Sequence, residues 1–462
     1  MASMLHVSSS VSLVVLLAAL ALIASSVSST SRQALELSKL QNKGFRVALK
    51  HVDSGKNLTK FERIQNGIRR GRYKLQKMNT MVLDKISDKS SDISGSIRAG
   101  EGIGEFYLNL AIGTPAKTYL AIVDTGSDLI WFQCEPCTKC YKQTAEIFDP
   151  RKSSTYSMLT CSSNLCEALP QKTCSHNHGC QYYYTYGDRS STEGIMAFET
   201  FTFGHVNVPN VGFGCGEDNE GGGFESGAGL VGLGRGPLSL VSQLKEPIFS
   251  YCLPSYMDIT TSSAYENDAT SGTLLMGSLA SLNTKSGETK TTPMIKNPSR
   301  PTFYYLSLEG ITVGGTYLSV NESTALKEDG SDGLIIDSGT TVTFLEQSAF
   351  ALVKEEFIKQ IKLTVYNTGS SEFDVFDLCF KLPKGSYEAE VPELIFHFAD
   401  ADLKFPVENY MIVDKSKGVM CLAMIKTEGL SLFGNYQQQN MLVVHDLVKE
   451  TVSFVPTKCA HM

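Results

Sequence analysis

A seven-residue pattern occurs twice in this chain. Residues 121–127 read Ala-Ile-Val-Asp-Thr-Gly-Ser, and 213 residues later 334–340 read Leu-Ile-Ile-Asp-Ser-Gly-Thr. In each copy an apolar run suited to a buried strand ends in a carboxylate, a hydroxyl residue, a glycine and a second hydroxyl residue. Asp124 and Asp337 therefore stand where a strand turns sharply. A second echo widens the repeat. Gly-Ala-Gly-Leu-Val-Gly-Leu-Gly at 227–234 follows the first motif, and Leu-Phe-Gly-Asn at 432–435 follows the second at a similar interval. The pattern predicts two homologous units, each giving one carboxylate to a shared cleft.

The chain of 462 residues has room for two or three domains. Its 39 glycines, many β-branched and aromatic residues and scarce helical periodicity predict a mainly β protein with few, short helices. Strands are expected at 106–112, 119–123, 129–132, 181–186 and 195–203, and a Ser/Thr/Asp/Asn-rich linker at 254–272.

The N-terminus carries an apolar run, 11–23, followed by small residues, the layout of a secretory signal peptide, although Lys and Arg are missing ahead of the run. The run is too short to span a bilayer comfortably, and no other stretch approaches that length, so a soluble mature protein without a stable membrane anchor is expected. Residues 32–98 hold 16 Lys or Arg against 6 Asp or Glu, whereas 99–462 hold 25 against 42. A basic segment between a signal peptide and an acidic body reads as a detachable prosegment held partly by charge, released as acid neutralises the body's carboxylates. Phe61, Ile64, Ile68, Leu75 and Met78 recur within it at helical spacing, predicting a short amphipathic helix. The expected divisions are a signal peptide at 1–25, a prosegment at 26–98, a first lobe with a Cys-rich insertion at 99–270, and a second lobe at 271–462.

Two carboxylates facing each other across an interface cannot both ionise easily, so they share one proton and titrate as a unit. One can then take a proton from a water between them while the other donates to a substrate carbonyl, which hydrolyses an amide without metal or covalent nucleophile. Gly126 and Gly339 let the backbone turn behind each carboxylate, and Ser127 and Thr340 are placed to hydrogen-bond its outer oxygen.

Asp124-Thr125-Gly126-Ser127 and Asp337-Ser338-Gly339-Thr340 resemble the two active-site motifs of pepsin-like aspartic endopeptidases, over residues 104–459. The Cys cluster, the Tyr-Gly-Asp run, Gly-Arg-Gly-Pro-Leu-Ser-Leu at 234–240 and Gln-Gln-Gln-Asn-Met at 437–441 resemble the plant nepenthesin-type branch. The resemblance implies a bilobal β fold, Asp124 and Asp337 as catalytic dyad, Thr125 and Ser338 gripping across the lobes, and a flap over the cleft. Its flap residue would be Tyr186, in Tyr-Tyr-Tyr-Thr-Tyr-Gly-Asp, although the stretch from Asp188 to Glu193 departs from a shorter pepsin-type flap.

Twelve cysteines fit an oxidising compartment and up to six disulfides. By the same resemblance the pairs would be Cys134 with Cys137, Cys140 with Cys215, Cys161 with Cys180, Cys166 with Cys174, Cys252 with Cys459 and Cys379 with Cys421. Cys134, Cys137 and Cys140 have the opening spacing of an iron–sulfur run but no fourth cysteine at the right distance. Cys174, His176, His178 and Cys180 could offer zinc four ligands, yet in a strand they spread too far for one ion. Disulfides are the better reading, and neither metal nor cofactor is expected. Asn57 and Asn321 open glycosylation triplets.

No nucleophile elbow, phosphate-binding loop or basic aromatic patch is present, and the acidic body opposes nucleic acid as a partner. The expected function is a secreted, monomeric, acid-activated endopeptidase acting on polypeptides, extracellular with vacuolar routing as a variant. The rival is a non-catalytic binding protein on the same fold, such as the plant xylanase inhibitors, which the Cys-rich first lobe also resembles.

Overall fold

The computed structural model describes residues 44–84, 105–175, 179–186, 190–221, 224, 227–244, 246–255, 272–280, 288–369, 373–383 and 389–462. Contacts divide the chain into two units, Met1–Gly44 and Phe45–Met462. Apart from Gly44, the first lies outside the described residues. So do the expected signal peptide, the prosegment end at 98, most of the linker and the side chains of His176, His178 and Asp188.

Within the second unit a strand, β1 (Phe45–His51), and a helix, α1 (Lys60–Asp84), precede the first lobe. That lobe contains β2 (Phe106–Ile112), β3 (Lys117–Asp124), β4 (Ile130–Gln133), β5 (Gly179–Thr185), β6 (Ser191–Phe203), β7 (Val206–Glu220) and β8 (Gly229–Gly232). The five expected strands are all present, with ends moved by up to four residues. Buried residues recur at alternate positions along much of β6, so one face of its pleat meets the core.

The crossing at the end of β3 is what places Asp124. β8 runs parallel to β3, with Gly232 opposite Asp124, and antiparallel to β4, with Val231 opposite Ile130. It is thus inserted between the strand before the Asp turn and the strand after it. The second lobe repeats this with β12 (Leu334–Ile336), β13 (Thr343–Glu346) and β14 (Ser431–Phe433), numbered after three strands of the floor described next. β14 runs parallel to β12, with Phe433 opposite Ile336, and pairs antiparallel with β13 through Leu432 and Phe344. The closing bonds end on corresponding acceptors, with the donor one position earlier in the second lobe: Gly234 N–H to Ser127 O at 2.8 Å, and Asn435 N–H to Thr340 O at 2.7 Å. The apolar-apolar-Gly signature has a steric cause. A Cβ at Gly232 would strike the Asp128 backbone, and one at Gly434 the Val342 backbone.

A common floor joins the lobes. It comprises β9 (Ile248–Cys252), β10 (Gly272–Met276), β11 (Lys290–Ile295), β15 (Met441–Asp446) and β16 (Thr451–Pro456). β11 pairs with β16, β16 with β15, β15 with β9 and β9 with β10. β1 completes it, pairing with β10 on one side and with β2 on the other. The expected prosegment therefore supplies an interior strand with ladder bonds on both edges.

Helices are few among the described residues, as expected, but α1 is not short: it runs 25 residues. Thr59 and Glu62 begin it with a reciprocal capping box, Thr59 N–H donating to Glu62 at 2.7 Å and Glu62 N–H to Thr59 Oγ1 at 3.2 Å. Its apolar stripe is satisfied by the second lobe. Phe61, Ile64, Ile68, Leu75 and Met78 are all buried, in one cluster with Phe373, Phe376, Ile425 and Tyr436. Each such side chain contributes about 1.5–3 kcal/mol when fully buried, which offsets the low intrinsic helix preference of Gly67 and Gly71.

Candidate active site

Asp124 closes β3 and Asp337 follows β12, and both are buried, the latter completely. Asp124 Oδ1 accepts the Gly126 N–H at 3.0 Å, and Asp337 Oδ1 accepts the Gly339 N–H at 2.8 Å. Thr340 donates its hydroxyl to Asp337 Oδ2 at 2.6 Å. The expected counterpart is missing: the Ser127 hydroxyl is buried without a hydrogen-bond partner among the described residues. Asp124 Oδ1 already faces two other donors, the Gly126 N–H and an ammonium.

The lobes meet directly beside the carboxylates. Thr125 Oγ1 accepts the Ser338 N–H at 3.1 Å, and the two hydroxyls lie 3.3 Å apart. Tyr186 follows β5 and is buried; its N–H donates to Ser190 O at 2.9 Å. Its ring packs 5.2 Å from Tyr184 and edge-on to Phe224 at 5.5 Å. Burial raises the Tyr186 hydroxyl well above its ordinary value, with Tyr184, Tyr182 and Asp124 adding to this, while the Trp131 N–H opposes it.

The residue that sequence reasoning missed is Lys74. Its ammonium lies 2.7 Å from Asp337 Oδ2 and 3.1 Å from Asp124 Oδ1, and the residue is buried. Burial alone would lower its proton affinity, but the two carboxylates outweigh that and hold it above the ordinary lysine value. The signal was present in the sequence. Gly67, Gly71 and Lys74 follow at four and three residues, so they share one helix face. A Cβ at Gly67 would collide with Thr341, and one at Gly71 would stand 2.6 Å from the Phe344 ring. Two glycines let the helix lie close enough for the lysine to reach the pair.

A second buried ionic contact ties α1 to the body. Arg70 grips Glu105 through two nitrogens at 2.7 and 2.9 Å and reaches Asp53 at 3.3 Å. His51 Nδ1 accepts the Asp53 N–H at 3.1 Å, which leaves Nε2 to donate to Glu105 at 3.2 Å. Burial would raise Glu105, but Arg70 and His51 hold it down to about 2.

The cysteine pairing requires correction. Cys252–Cys459 and Cys379–Cys421 form as expected, but the other bridges are Cys134–Cys215, Cys137–Cys140, Cys161–Cys174 and Cys166–Cys180. Strand pairing decides the first. β4 runs parallel to β7 with Phe132 opposite Cys215, which brings Cys134 alongside and leaves Cys137 and Cys140 to each other. Burial sorts the hairpin. Cys166 and Cys180 are fully buried and join, whereas Cys174 is exposed and meets the half-buried Cys161. Cys174 and Cys180 are thus committed to disulfides rather than to zinc. Asn57 and Asn321 are both exposed.

One ammonium touching both carboxylates shows that they converge on a single point, where a water could equally be held. A bilobal β fold whose two Asp turns converge at the lobe boundary defines the pepsin-like aspartic endopeptidase class. Comparison with known proteins is consistent with it. Residues 106–278 match the family model described as xylanase inhibitor N-terminal, and 303–456 the one described as xylanase inhibitor C-terminal. The chain is 48% identical to aspartic proteinase nepenthesin-1 of Nepenthes gracilis, covering 93% of this chain and 94% of that protein. It is 46% identical to aspartic proteinase nepenthesin-2 of the same plant, over 97% and 98%. The crystal structure of edgp shares the fold, with a TM-score of 0.63 at 17% identity over 91% of this chain and 98% of the other. The chain belongs to the pepsin-like aspartic proteinase family, on its nepenthesin branch, and is an aspartic endopeptidase. The inhibitor alternative shares the fold but has less support, since the full-length relatives are proteinases. No described helix is long and apolar enough to cross a membrane.

Proposed function

We propose that Asp124 and Asp337 are the catalytic dyad, and that the chain is a secreted precursor in which α1 keeps the dyad idle until acid releases it. The observation that carries this reading is the Lys74 ammonium shared by both carboxylates. With the helix in place, the lysine stands where the attacking water would lie and neutralises the pair. With the helix gone, two adjacent carboxylates share one proton, and the ionised one acts as base toward a water while the protonated one donates to the scissile carbonyl. No cofactor is required.

Substrates are polypeptides bound extended between the lobes, with Tyr186 covering the site and excluding water. The enzyme acts as a monomer, and neither nucleic acid nor membrane is a partner. Export through the secretory route fits the N-terminal apolar run and six disulfides among the described residues. The mature body begins near residue 99.

Acid treatment of the purified precursor should generate cleavage of denatured globin that pepstatin abolishes. Absence of that activity, together with tight binding of a glycosidase, would support the inhibitor alternative instead.

A further inference from the structure

A third carboxylate follows the first Asp turn, where Gly232, opposite Asp124 in the β3–β8 ladder, also packs against the Asp128 backbone. Asp128, four residues after Asp124, is 8% exposed and joins separate parts of the molecule. Its Oδ1 accepts the Gly236 N–H at 2.8 Å, in the turn after β8, and its Oδ2 accepts the Thr302 hydroxyl at 2.7 Å, from the second lobe. The Arg235 N–H bonds Thr302 O at 3.0 Å, so this junction is closed twice. The surrounding backbone is shaped to the carboxylate. A Cβ at Gly236 would lie 2.6 Å from Asp128 Cγ, and one at Gly234 would also collide with it.

We propose that Asp128 is a positioning residue that braces the two lobes behind the dyad and, by ionising beside Asp124, extends the reaction toward higher pH. This rests on Asp124 and Asp337 being the dyad. The charged and titratable groups around Asp128 are Asp124, Tyr184 and Tyr304. The nearby Arg235 guanidinium is engaged by Glu450. Among the described residues no ion pair to Asp128 is formed, its carboxylate partners being the Gly236 N–H and the Thr302 hydroxyl. Burial raises its carboxyl, the Thr302 and Gly236 hydrogen bonds oppose that, and Asp124 adds to the rise.

The coupling is reciprocal. In acid, Asp128 is protonated, and its O–H can donate to Thr302 while Oδ1 keeps the Gly236 bond. As pH rises it ionises, and the new negative charge raises the dyad's affinity for its shared proton. Loss of that proton ends catalysis, so an ionised Asp128 delays the loss.

Asp128→Asn is the informative change, because the amide can accept from Gly236 and donate to Thr302 while never ionising. In the acid-activated enzyme, the alkaline limb of kcat/KM against pH should move to lower pH by about half a unit or more, with the acid limb in place. Superimposable profiles, or an equal loss at every pH, would reduce Asp128 to a lobe tether and overturn the proposal. A readout independent of turnover is carboxyl carbon NMR of the precursor bearing Asp124→Asn. The resonance lost in Asp128→Asn should titrate above the usual aspartate range even there, since burial is the largest cause of the shift. Titration at or below that range would equally overturn the proposal, whereas failure of the dyad reading would show instead as undiminished proteolysis in Asp124→Asn.

Discussion

The ammonium of Lys74 lies 2.7 Å from a carboxylate oxygen of Asp337, 263 positions later in the chain. The distance follows from how α1 is seated. Its apolar stripe fills a groove of the second lobe, and Gly67 and Gly71 bring the helix axis close to Thr341 and Phe344. The lysine of the next turn then has one place to go.

Replacing Lys74 with Met keeps most of the stem and removes the charge. Breaking a buried ionic contact by deleting one partner costs about 3–5 kcal/mol, an upper bound here because the carboxylates can take up a proton instead. The Lys74→Met precursor should convert to the mature form at higher pH than the wild type, read as the pH midpoint of conversion on denaturing gels. An unchanged midpoint would locate latency outside this contact.

Enlarging Gly67 tests the seating without touching charge. A leucine there cannot coexist with Thr341, so α1 must lift and Lys74 must withdraw. Gly67→Leu should raise amide exchange along α1 and expose the dyad to pepstatin in the precursor at neutral pH. Exchange equal to wild type would show that the groove tolerates the bulk.

Glu105 predicts the acid dependence of the second contact. Its folded value, about 2, lies below the ordinary 4.5. A depressed carboxylate stabilises the folded precursor above the ordinary value, and that contribution is lost as pH falls from about 4.5 toward 2. The amount at stake is about 3 kcal/mol. Urea midpoints of a self-cleavage-deficient precursor should fall across that window, and Glu105→Gln should flatten the fall. Lys74 has the opposite sign: its raised value makes its own titration matter only at alkaline pH, so the acid sensitivity of its contact must come from the carboxylates it faces.

Substituting either aspartate of the proposed dyad with Asn removes the shared proton but conserves shape. Asp124→Asn and Asp337→Asn should each lower kcat/KM by at least about a hundredfold while leaving the circular dichroism spectrum unchanged. Substantial activity in either variant would displace the assignment.

The bridges can be read by mass spectrometry of a non-reduced digest. Cys134–Cys215 and Cys137–Cys140 should appear as separate linked peptides. Loop length also separates them: Cys134 and Cys215 are 81 residues apart, Cys137 and Cys140 only 3, so removing the longer bridge should lower the melting temperature more.

The sequence alone determined the elements whose cause is local or repeated. The duplicated Asp turns, the apolar-apolar-Gly strands and the alternation through Phe106–Ile112 are written in spacing, because a pleat has a period of two and a sharp turn behind a carboxylate needs glycine. The stripe from Phe61 to Met78 marked a helix for the same reason. What no local pattern carries is which distant partner a side chain meets. Only the tertiary structure decided that Lys74 reaches across to two aspartates, that Cys134 joins Cys215 because β4 lies along β7, and that the Ser127 hydroxyl finds no partner among the described residues while Thr340 holds its carboxylate. Those contacts depend on the depth and register at which separate elements pack, and these are set by the whole core rather than by any one stretch of the chain.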